Sequence, residues 1–128
     1  HPLDTSGGPL DPQFDGFARL RTTDDGVLEF HTIRPGAHPV PKRTGVMRAP
    51  HLRLTIFASG IDRLVTQVFF AGEPRNDSDP VLQSLPERRL RDRLIATPCE
   101  TRRDGARVYA LDIVLRGERE TPFFDDWD

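Results

Sequence analysis

The chain has 128 residues, about the length of one domain, with 36% hydrophobic and 30% charged residues and a formal net charge of −2. Its 18 basic residues are matched by 20 acidic ones, so it carries no bulk basic footprint for nucleic acid, and no apolar run of about 18 residues or more is present to span a membrane. One cysteine excludes an internal disulfide framework and a Cys-rich zinc site; it fits a reducing, cytoplasmic setting.

Residues 1–16 are dense in Pro, Gly and Asp and read as extended loop. Phe17–Thr23 alternates apolar and polar residues up to Asp24-Asp25-Gly26, and Val27–Ile33 follows. An Asp-Gly pair between such runs predicts a hairpin, because Gly accepts the positive φ of the turn. A proline-rich loop then runs from Ala37 to Pro50, long enough to be functional or disordered. Leu52–Ala58 puts Leu52, Leu54, Ile56 and Ala58 on one face and Arg53, Thr55 and Phe57 on the other. With Arg63–Phe70 across the Ser59-Gly60 turn it predicts a second hairpin.

Beyond the polar stretch Glu73–Asp79, a short helix is expected from Ser84, with Ser84 as cap, Pro86 near the first turn, and Leu90, Leu94 and Ile95 on its buried side. Ala96–Thr101 and Arg107–Leu115 flank Arg103-Asp104-Gly105 as a third hairpin, with Tyr109, Leu111, Ile113 and Leu115 facing one way. The aromatics of Phe123-Phe124-Asp125-Asp126-Trp127 would be costly to leave in water. The expected fold is all-β, a single antiparallel β-sandwich or partial barrel with one short helix.

No complete catalytic set emerges from these residues. His31 lies mid-strand and reads as a packing or surface residue, and His1 at the start of the chain is uninterpretable. His38 and His51 flank the long loop and can approach each other, but two histidines alone make a poor metal site. Ser59 reads as a turn residue, Cys99 as an inert strand cysteine, and Asp125-Asp126 as a tail rather than an acid–base pair. Arg88-Arg89-Leu90-Arg91-Asp92-Arg93 is a solvated helix face.

The order of segments is more specific. Pro9–Phe14, Phe17-Ala18-Arg19, Thr32-Ile33-Arg34-Pro35-Gly36, Arg48-Ala49-Pro50-His51-Leu52-Arg53, Leu64–Phe70, Tyr109–Gly117 and Glu120–Phe124 together resemble, in order, the intradiol ring-cleaving dioxygenases. The resemblance implies a β-sandwich and, in the two-chain branch of that family, an α chain paired with a homologous catalytic β chain. There the β chain holds non-haem Fe(III) with two tyrosines and two histidines and opens protocatechuate-type rings with O2.

Carried over, that ligand pattern breaks down. His38 stands where the second family tyrosine would fall, and His51 keeps the first histidine of the His-x-His pair. Arg53, a permanent cation, replaces the second histidine. The first tyrosine would fall just before His1, and the chain is expected to be incomplete at its N-terminus. Arg48 and Gln67 match an arginine and a glutamine near the substrate, and read here as structural. Ser59 replaces an arginine that α chains lend to the partner's site.

The resemblance therefore implies no catalytic or metal-holding residue in this chain, but a degenerate pocket of His38, Arg48, His51, Arg53 and Gln67. It also implies a partner β chain that holds the iron. The alternatives are a competent intradiol enzyme with unusual ligands and a non-enzymatic β-sandwich binding module.

Overall fold

The computed structural model describes residues 11–125, without the side chains of Ile61 and Asp62. Its elements are β1 (His38–Pro39), β2 (Met47–Arg48), β3 (His51–Ala58), β4 (Ile61–Phe70), a 3-10 turn at Pro74–Ser78, α1 (Pro80–Ser84), α2 (Arg88–Asp92), β5 (Ile95–Thr101) and β6 (Arg107–Ala110). They form a two-stranded sheet β1-β2 and a four-stranded sheet in the order β3-β4-β5-β6. The all-β expectation holds.

The hairpin of β3 and β4 forms where the alternation placed it, in a register that sets His51 opposite Phe69 and Arg53 opposite Gln67. Gly60, at φ 73°, supplies the left-handed turn residue. Leu52, Leu54 and Ile56 are half-buried while Arg53, Thr55 and Phe57 are exposed, as the period of two requires. β4 is buried on both faces from Val65 to Phe70, as suits an inner strand. Thr66, fully buried, satisfies its hydroxyl by donating to the Pro122 carbonyl at 2.8 Å, and the Phe124 N–H donates to the Val65 carbonyl at 2.8 Å. The C-terminal aromatics thus reach β4, and Phe124 packs on the core; Asp126 and Trp127 lie outside the described residues.

Between β4 and β5 the sheet departs from purely antiparallel order. The two strands pair in parallel through Phe69↔Ile95 and Phe70↔Ala96. A parallel join needs a crossover of about a dozen residues or more, and the 3-10 turn and two helices provide it. The single helix expected from Ser84 is instead two helices of five residues each. Ser84 ends the first; the cap is Asp79, with Pro80 at the first helical position, where a missing N–H costs nothing. Val81 and Leu82 of α1 join Ala49, Phe69 and Leu94 in one buried apolar cluster.

The proline-rich loop is ordered: β1 and β2 pair within it and the Val40 N–H donates to Val46 O at 2.9 Å. The third hairpin closes at Arg102–Ala106, but β6 stops at Ala110 rather than Leu115. Beyond it, the Val114 N–H donates to the Thr121 hydroxyl at 2.8 Å and the Thr121 N–H donates to the Val114 carbonyl at 2.9 Å, in place of a strand partner.

The first expected hairpin is only a turn. Thr23 and Val27 close it and Gly26 takes φ 79°, but residues 17–23 and 27–33 form no strand. Its apolar side chains, Phe17 at 70% exposure above all, have no packed face among the described residues, and a ladder without burial is marginal in water. The segment is tied down at its polar positions. Arg102 pairs with Glu29, and Arg34 pairs with Glu73 at 3.2 Å and lies 5.2 Å over the Phe70 ring.

Candidate functional site

The site forms where the short sheet meets the long one. Arg48 ends β2 directly opposite His38, and three residues later His51 opens β3 opposite Phe69. The His51 ring lies 5.4 Å from that of His38 and 5.5 Å from that of Phe69, centroid to centroid. Arg48 and Gln67 are both buried, and the Arg48 guanidinium donates to the Gln67 Oε1. Four of the five pocket residues named from the sequence therefore stand together: His38, Arg48, His51 and Gln67. Arg53 shares the face of Gln67 across the ladder, but its side chain is exposed.

Asp79, with 0% exposure, completes the cluster from the N-terminus of α1. Its Oδ2 accepts from Arg48 Nε at 2.9 Å and from the Ala49 N–H at 2.8 Å; its Oδ1 accepts the Val81 and Leu82 N–H groups at 2.9 and 3.1 Å. A buried carboxylate with one cation and three backbone donors is a compensated charge, and so is the buried guanidinium it faces. The sequence reading missed Asp79. Its signal is local: Asp followed by Pro and an apolar pair marks a helix N-terminus, in competition with Ser84.

His51 donates from Nδ1 to the Ala49 carbonyl at 2.7 Å; a carbonyl only accepts, so Nδ1 carries the proton and Nε2 keeps its lone pair. Burial lowers its pKa from 6.5 to about 4, and the charges of Arg48 and His38 act in the same direction. The Ala49 bond and Asp79 oppose the shift without cancelling it. At neutral pH the pocket thus holds a neutral imidazole beside a guanidinium already neutralised within the protein.

The other sequence candidates lie elsewhere. His31 is exposed, with Nε2 3.3 Å from Arg102. Tyr109 packs edge-on against Phe70 at 5.2 Å, Ser59 is in the β3–β4 turn, and Cys99 is exposed on β5. In the arginine run, exposed Arg89 pairs with Glu87 at 2.5 Å, whereas half-buried Arg91 donates to the Leu85 carbonyl at 2.8 Å, so the run is a solvated face only in part.

Comparison with known proteins gives this geometry a family. The Dioxygenase family matches residues 3–117, nearly the whole chain. This chain belongs to the intradiol dioxygenase family. It is 41% identical over 125 residues to a protocatechuate 3,4-dioxygenase beta chain of Burkholderia cepacia, an alignment covering 95% of this chain and 53% of that one. It is 40% identical over 119 residues to a protocatechuate 3,4-dioxygenase alpha chain of Pseudomonas putida, covering 91% and 57% respectively. A chlorocatechol 1,2-dioxygenase of Rhodococcus opacus is 37% identical over 73 residues, 48% of this chain and 28% of that one. The chain spans about half the length of the curated relatives it matches.

An intradiol dioxygenase is expected to use non-haem iron, and the pocket residues do not fit that ion. The imidazoles that stand together there are those of His38 and His51, while the strand position two residues beyond His51 is the cation Arg53. Among the described residues, no three His, Cys, Asp or Glu side chains gather into a metal-holding group.

Proposed function

We propose that this chain is an α-type subunit of a two-chain protocatechuate 3,4-dioxygenase that holds no metal itself. The complete enzyme opens a catechol ring between its two hydroxylated carbons with O2, giving 3-carboxy-cis,cis-muconate from a protocatechuate-type substrate. The iron belongs to a homologous β chain. This chain supplies one wall of the cleft and part of an obligate interface, of the kind that buries roughly 2,000 Å² or more. On this reading the enzyme works in the cytoplasm.

The observation that carries this reading is Arg53, a guanidinium at the position where the resemblance implies the second histidine ligand. The Arg48–Asp79–Gln67 cluster supports it, because an arginine spent on internal partners is a structural group rather than one waiting for substrate. His38, Arg48, His51, Arg53 and Gln67 are on this reading the remnant of a metal pocket.

The test is to express a longer form of this chain, matching its relatives in length, together with a β-type chain. The complex is isolated by size exclusion, its iron counted per chain and its ring cleavage assayed. A stable complex with iron only in the β chain and cleavage activity is expected; failure to associate would end the subunit reading.

One observation favours a second reading, in which the chain is itself the β-type catalytic chain: the match to a beta chain is as close as that to an alpha chain. Colour separates the two. A ferric tyrosinate absorbs visible light strongly, so an intensely coloured, iron-loaded preparation of the longer form without any partner would favour the second reading.

A further inference from the structure

We propose that Asp79 is the positioning residue of this pocket: its carboxylate fixes the place of the Arg48 guanidinium and, through Ala49, the tautomer of His51. The two oxygens serve different ends. Oδ1 takes the Val81 and Leu82 N–H groups and caps α1; Oδ2 takes Arg48 Nε and the Ala49 N–H, which a cap alone would not need. Ala49, fully buried, is thereby held at its N–H by Asp79 and at its carbonyl by His51 Nδ1. Pro50 follows, and the clash of its Cδ restricts the ψ of Ala49, which leaves the Ala49 carbonyl little freedom to turn away.

Two consequences reach the pocket. With Nδ1 committed to Ala49, His51 presents Nε2 as a hydrogen-bond acceptor. With Oε1 committed to Arg48, Gln67 retains its two amide N–H donors. A carboxylate on a helix 28 positions after His51 in sequence thus decides which polar groups the pocket offers.

This inference deepens the dioxygenase reading and rests on it only for the catalytic consequence. Its test reads the chain itself, so a failure here leaves that reading standing. Asp79→Asn keeps an oxygen for the cap, and Asn is a good capping residue, but it turns an N–H₂ toward Arg48 and Ala49. The His51 tautomer is read by ¹⁵N NMR of histidine-labelled chain near neutral pH, with His51→Gln to assign the signals.

The wild-type chain is expected to show the Nδ1–H form. In Asp79→Asn the ratio of Nδ1–H to Nε2–H falls by about tenfold, the worth of one hydrogen bond. A folded Asp79→Asn chain with an unchanged His51 tautomer would overturn the proposal. If that variant does not fold, the double variant Asp79→Asn with Arg48→Met, which leaves no buried cation, is expected to fold and show the same shift. An unchanged tautomer in the double variant would also overturn the proposal. So would loss of folding in both, because Asp79 would then be a residue of the fold and not of the pocket.

Discussion

Replacing Arg48 by Met keeps the apolar stem of the side chain and removes the guanidinium. Asp79, with 0% exposure, is then left with three backbone donors (Ala49, Val81 and Leu82) and no countercharge. Two routes give the cost. Breaking a buried ion pair from one side costs about 3–5 kcal/mol. The two bonds lost, to Asp79 and to Gln67, are charge-assisted and contribute about 1.5–3 kcal/mol each. The routes agree, and the three donors still held by Asp79 favour the low end, about 3 kcal/mol.

The control is Arg89→Met. The Arg89–Glu87 pair is short, at 2.5 Å, but its side chains are 72% and 51% exposed, and such pairs contribute about 0–1 kcal/mol. Urea unfolding separates the two variants. With a slope of about 2 kcal/mol/M, Arg48→Met lowers the midpoint by about 1.5 M and Arg89→Met by less than about 0.5 M. If Arg48→Met unfolds within about 0.5 kcal/mol of Arg89→Met, the buried cluster is not the organising contact described here.

His51 gives a pH prediction. Its folded pKa of about 4 lies below its ordinary 6.5, so the unfolded chain binds the extra proton between those values and stability falls as pH drops through that window. Relative to His51→Gln, the wild-type chain should lose on the order of 3 kcal/mol from pH 6.5 to pH 4 in urea titrations; parallel curves for the two proteins would contradict it. Gly105→Ala probes a turn: φ is +85° and nothing lies within 4 Å of the added Cβ, so the cost is backbone strain alone, about 1–2 kcal/mol. A melting temperature lower by several degrees is expected, and an unchanged one would mean that the turn adapts at no cost.

What could be read from the sequence was local. Alternation in Leu52–Ala58 and the Gly60 turn sufficed for the β3–β4 hairpin, and Asp104-Gly105 for the next one, because period and turn residue act over a few positions. The parallel pairing of Phe69 with Ile95 could not be read, since it depends on how a crossover of more than twenty residues packs. Phe17–Ile33 shows the limit of alternation: the pattern states which side would be buried, but not whether anything covers it. At the site, the long loop alone suggests that His38 and His51 approach each other, and motif order adds Arg48 and Gln67 to them. Arg53 was found the same way, yet it is exposed. Asp79 is not legible because its role comes from meeting Arg48 across 31 residues, and its one local signature, the cap before Pro80, competes with the cap signal of Ser84.

The central claim is that this chain lines a dioxygenase cleft without holding the iron. Its most direct test is to incubate a longer form of the chain, matching its relatives in length and without a partner, with ferric iron, desalt it, and measure bound iron and visible absorption together. The account predicts iron far below one per chain and no visible band. Close to one iron per chain with a strong visible band would contradict it.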